Sequence, residues 1–168
     1  MIQDSNNYWE QLERLEKLIR ASELKAGIIF SFHSLILGLF ADRLKHFNQL
    51  FRDNSVLIFL AILWISIVLI SIFYCFKCFR PRIELKYDKN VFFFKNAASS
   101  FGNVKEYSKK LIEVCGSEEE LLNQLSQQIH VESKIIDQKF KSVITSIKFF
   151  ALSFILIIAM IILSVVNI

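Results

Sequence analysis

Few residues in this 168-residue chain are spaced for chemistry. Cys75 and Cys78 form a C-x-x-C, a spacing that can serve redox or metal sites. A single such pair at the edge of an apolar run equally supplies two small interfacial side chains. The three histidines, His33, His46 and His130, are scattered, and there is no HExxH, Walker loop, GxGxxG or nucleophile elbow. The chain therefore reads as a non-enzyme, with no catalytic residue, cofactor or metal site expected. Arg80-Pro81-Arg82 is a candidate anion site, since guanidinium forks match phosphate oxygens; the same residues also suit a positive stop after an apolar run. Phe92, Phe93 and Phe94 can stack on a base or fill a small core. Arg80, Arg82, Phe92 and Phe94 are thus the candidate ligand-binding residues. His33 lies inside an apolar run, where a polar side chain serves as a helix-to-helix hydrogen bond or an ion ligand. Gly27, Ser31, Ser34 and Gly38 share one narrow face of that run and, with His33, are candidates for membrane helix packing or a pore lining.

The elements that must position these residues are set by hydropathy. The chain is 54% hydrophobic, above the roughly 45–50% apolar content of soluble domains. The excess is clustered in three runs: 26–41, 56–76 and 149–168. As helices, the first rises about 24 Å and the second about 32 Å, against a bilayer core of ~30 Å. Lys25 and Arg43 flank the short first run and can snorkel. The first 25 residues are charged and helix-like, so no cleavable signal peptide is expected and the first run acts as an uncleaved anchor.

Charge orients the spans. Lys and Arg number four before residue 26, three in 42–55 and thirteen in 77–148. A cytoplasmic N-terminus puts seventeen inside against three outside, as the positive-inside rule requires. The net charge of +4 follows from that distribution and needs no nucleic-acid partner. The resulting organisation is an all-α membrane protein in six parts: a cytoplasmic amphipathic helix (1–25), a first span (26–41), an external loop (42–55), a second span (56–76), a cytoplasmic helical sensor domain (77–148) and a third span (149–168).

Within the cytoplasmic parts, Tyr8, Leu12, Leu15, Ile19, Ser22 and Ala26 step by four and three, a coiled-coil seam that Phe30, His33 and Leu37 continue. Asn7 and Glu10 suit a capping-box-like start. Residues 83–96 are the strand-like part, as a short hairpin or as an irregular aromatic clamp. Residues 97–114 have helical spacing. Ser117 with Glu120 forms a capping box that opens a helix with no Pro or Gly up to residue 168, a rod of roughly 75 Å. Leu122, Leu125, Ile129, Ile136, Phe140, Val143 and Ile147 lie along one of its faces.

Leu15-Glu16-Lys17, Lys25-Ala26-Gly27, Arg80-Pro81-Arg82 and Val91-Phe92-Phe93-Phe94, with Gln128-Ile129-His130, Ser133-Lys134-Ile135 and Lys139-Phe140, resemble the Pycsar transmembrane effector family in order and spacing along nearly the whole chain. One position departs from the pattern: Lys95 stands where a Gly is expected. The resemblance implies a bacterial anti-phage effector. A pyrimidine nucleotide cyclase makes cyclic CMP or cyclic UMP on infection, and the effector, expected as a homo-oligomer in the inner membrane, impairs the lipid bilayer and aborts the infection. The other reading is a non-enzymatic membrane scaffold assembling through its coiled-coil seams.

Overall fold

The computed structural model describes residues 5–42, 55–80 and 89–166. It contains five helices there and no strand: α1 (Asn6–Asp42), α2 (Ser55–Phe79), α3 (Phe94–Ser99), α4 (Val104–Cys115) and α5 (Glu118–Val166). Residues 43–54 of the expected external loop, with Arg82, Ile83, Leu85 and Tyr87, lie outside the described residues. Two compact units are formed. The polar unit takes Met1–Arg20 and Arg82–Asp137; the membrane unit takes Ala21–Pro81 and Gln138–Ile168. The unbroken helices α1 and α5 each contribute to both.

In the membrane unit, the three helices are long and apolar enough to cross a bilayer. They alternate in direction. Phe30 meets Phe76 and Phe40 meets Trp64, with ring centroids 5.4 and 5.1 Å apart, so α1 and α2 run antiparallel. Cys78 meets Lys139 and Ser71 meets Ser146, so α2 and α5 run antiparallel as well. The buried stripe of α1 is Ser22, Ala26, Ile29 and His33, which keeps the four-three step. The seam thus continues through Ile29, and the expected Phe30 faces outward. On α5 the same slip occurs: Ser146 is wholly buried, while Ile147, expected on the inner face, is 44% exposed. Both corrections share one cause. Lipid is as apolar as leucine, so a bulky apolar residue gains little by choosing one face over the other: Ile29 and Phe30 are close to interchangeable in that respect, while at Ser146 a hydroxylated residue takes the contact.

In the polar unit, the first turn of α1 closes on the Ser5 carbonyl, which accepts from the Tyr8 and Trp9 amides at 3.1 and 3.3 Å. Asn7 is therefore already inside the helix and does not serve as the expected start. Val91–Phe93 form a turn, and Phe94 opens α3, so this β-prone run is not a strand. Its backbone groups are taken by side chains instead. The Val91 amide donates to Gln124 Oε1 at 2.9 Å, the Phe92 amide donates to Asn90 Oδ1 at 2.9 Å, and Tyr107 donates to the Val91 carbonyl at 3.3 Å. Lys95 is the second residue of α3, where no glycine is needed.

The expected helix over 97–114 is split. Asn103 caps α4: its side chain accepts from the Glu106 amide at 3.0 Å, while Glu106 Oε2 accepts from the amide of Gly102, one residue before the cap, at 3.1 Å, a shifted form of the capping box. At α5, Ser117 Oγ accepts from the Glu120 amide at 3.4 Å, but Glu120 turns forward to accept from Gln124 at 2.9 Å, so only half of the expected box forms.

Candidate functional site

The membrane unit has a polar seam within a largely apolar interior. Ser71 Oγ donates to the Ser146 carbonyl at 3.0 Å, and Ser146 Oγ donates to the Ser71 carbonyl at 3.1 Å. Cys75 Sγ lies 3.0 Å from Ser146 Oγ. These reciprocal bonds require the two backbones to approach closely, which only small side chains permit. Cys75 and Cys78 are both buried here as packing residues. Toward the other end, His33 packs edge-on against Phe150 at 5.0 Å, and neither His33 Nε2 nor the buried Trp64 Nε1 has a partner among the described residues.

Helical phase divides the five packing candidates. His33 points into the unit, about 120° around α1 from Gly27, Ser31, Ser34 and Gly38. Those four lie on the outer side, and Ser31 and Ser34 donate to the carbonyls of Gly27 and Phe30 in their own helix. An open groove of about 590 Å³ runs along this side, lined by Glu23, Gly27, Ile28, Ser31, Leu35 and Phe79.

Two charged residues that periodicity alone did not single out meet in the same unit. Lys139, only 3% exposed, donates to Glu23 Oε1 and to the Cys78 carbonyl, both at 2.7 Å. Arg80 is the last described residue after α2 and is exposed, its amide donating to the Phe76 carbonyl at 3.2 Å.

In the polar unit, the Asn90–Phe93 turn is locked to α5. Asn90, itself buried, donates to the Gln124 carbonyl at 2.7 Å. This turn presents the aromatic run. Phe93 points into the core, Phe92 is half-buried with Trp9 edge-on at 5.5 Å, and Phe94 is 75% exposed. Asn90 and Gln124 were not among the candidates; their spacing carries no motif.

One carboxyl of this unit is held high. Burial pushes the Glu132 pKa up, the Gln128 hydrogen bond opposes this, and the nearby Glu16 charge adds to it. A raised carboxyl contributes stability that is complete at low pH and lost as pH climbs through its folded value. Glu132→Gln is therefore expected to raise the thermal midpoint at pH 8 and to raise it less at pH 5, measured by circular dichroism in detergent.

The order of three apolar crossings around a charged middle section now has a counterpart among known proteins. A family model described as the Pycsar effector protein domain matches residues 7–166. The chain belongs to the Pycsar effector family. No curated protein and no solved structure matches it. As a Pycsar effector, it is a membrane protein of anti-phage defence, acting in cyclic-nucleotide signalling with a cyclase as the source of the signal. The Pycsar match spans both units, so the polar unit and the membrane unit belong to one family domain.

Proposed function

We propose that the chain is a non-enzymatic inner-membrane effector that binds cyclic CMP or cyclic UMP on its cytoplasmic side and responds by impairing the membrane, aborting the infection. The observation that carries this reading is the family match over residues 7–166, on a chain with three membrane-length helices. The excess of Lys and Arg in 1–25 and 77–148 supports a cytoplasmic N-terminus. Within residues 77–148, Arg80 and Arg82 engage the phosphate and the exposed Phe94, beside Phe92, engages the base. Oligomers form in the bilayer, with the small-residue side of α1 available for close helix contact. Nucleotide binding favours the membrane-impairing state only through higher affinity for it.

Liposomes holding the purified protein and a trapped dye test this. Release is expected on adding cyclic CMP or cyclic UMP, and no release with cyclic AMP. Arg80→Ala with Arg82→Ala should shift the dose needed upward by at least about tenfold, the loss of two charge-assisted contacts. Intact, inserted protein that releases no dye with any cyclic nucleotide would overturn the proposal.

A further inference from the structure

Lys139 carries a full charge into a nearly closed position of the membrane unit, ten residues before the apolar run that starts at Phe149. Its ammonium donates to Glu23 Oε1 on α1 and to the Cys78 carbonyl on α2, each at 2.7 Å. The Cys78 carbonyl belongs to the last turn of α2, where carbonyls have no partner within the helix and carry the negative end of its dipole. One ammonium therefore joins all three helices at one level. Beside it, Cys78 Sγ donates to the Ser22 carbonyl at 3.7 Å and is fully buried.

The two partners of this ion pair are not equivalent. The Lys139 side chain is 3% exposed, and that of Glu23 is 39% exposed. Without Lys139, a carboxylate that water already reaches remains, along with a helix-end carbonyl. Without the Glu23 charge, a desolvated ammonium remains with no counter-ion, which is the costly case. Its long stem can carry it to water only if the helices around it part.

We propose that Glu23 and Lys139 form a latch on the membrane unit: the carboxylate keeps the ammonium buried between the three helices, and loss of that carboxylate expels the ammonium and parts the helices around Cys78. The latch rests on the membrane-impairing reading only for what its opening does to the cell.

Cys78 reports the latch directly. The full chain with Cys75→Ser and Cys115→Ser keeps Cys78 as its sole thiol, and its reaction with N-ethylmaleimide is followed in liposomes across pH and compared per thiolate, because the charges of Glu23 and Lys139 act on its ionisation in opposite directions whether or not the helices part. The parent is expected to react slowly. Glu23→Gln, nearly isosteric and on a half-exposed residue, should react at least about tenfold faster, since it strands the buried charge. Lys139→Met should react at the parent rate or more slowly, and the double variant should behave like Lys139→Met. That pattern of opposite responses separates a latch from a simple structural staple, in which both single variants accelerate alike. An unchanged rate in Glu23→Gln, an equal acceleration in Lys139→Met, or an acceleration in Glu23→Gln that Lys139→Met does not reverse overturns the latch. The same liposomes carry trapped dye. If Cys78 opens as expected while no variant leaks with or without nucleotide, the latch stands and the membrane-impairing reading falls.

Discussion

Ser146→Leu is expected to pull α5 away from α2 and to lower the stability of the membrane unit by about 2–4 kcal/mol. Ser146 is fully buried where its hydroxyl donates to the Ser71 carbonyl and lies 3.0 Å from Cys75 Sγ. A leucine there is larger by two heavy atoms, and the hydrogen-bonded backbones leave it no room. Overpacking of a tight contact costs about 1–3 kcal/mol. Loss of the interhelical hydrogen bonds adds on the order of 0.6 kcal/mol each, the membrane average. The neighbouring Ile147→Leu is a matched control on the outer face and should be neutral. Unfolding in mixed micelles at increasing SDS fraction measures both. Equal midpoints for the two variants would contradict the buried Ser71–Ser146 contact.

Asn90→Ala should release the turn that carries the aromatic run. Asn90 is buried, donates to the Gln124 carbonyl at 2.7 Å and accepts from the Phe92 amide at 2.9 Å. Alanine removes both bonds and leaves the Phe92 amide without its acceptor. Each buried group so stranded costs about 1–3 kcal/mol, so the expected loss is about 2–4 kcal/mol. Hydrogen exchange at Val91–Phe93 should quicken by about one and a half to three orders of magnitude, which is what that energy gives. Asn90→Asp keeps the acceptor for Phe92 but sets a buried carboxylate against the Gln124 carbonyl, so it should cost at least as much as alanine. If Phe94 engages the ligand base, the nucleotide response weakens in the same order.

The three helices of the membrane unit and the unbroken course of α1 and α5 were legible from apolar run length, from the absence of Pro in both and from the absence of Gly in α5. The inward faces were legible at Ser22, Ala26, His33 and Val143 of the membrane unit too, but they slipped there at Phe30 and Ile147 and held better where water is the other solvent. Leu15, Leu122 and Leu125 are buried as their spacing predicts, because exposure to water penalises them. Inside a bilayer that penalty vanishes, and Ile29 and Ser146 took the inner places expected for Phe30 and Ile147. Lys139 was within reach of the same logic: it stands in step with Val143 and Ser146 on the inner face of α5. Its partner Glu23 is 116 positions away, among 16 acidic residues, and no periodicity selects it. The Asn90–Gln124 clamp was hidden for a related reason. Side-chain bonds to a backbone turn repeat with no period, so the β-prone Val91–Phe94 run concealed where its amides would go.

The outward serines of α1 bear on life in an uninfected cell. Ser31 and Ser34 spend their hydroxyls on carbonyls of their own helix. No hydroxyl hydrogen there is left searching for a neighbour in the hydrocarbon, where an unmet donor is expensive. Ser31 and Ser34 therefore impose no such penalty on a solitary copy, and they give copies no reason of their own to crowd together. Before any messenger is made, these two internal bonds leave that side of α1 with no unmet hydroxyl of its own.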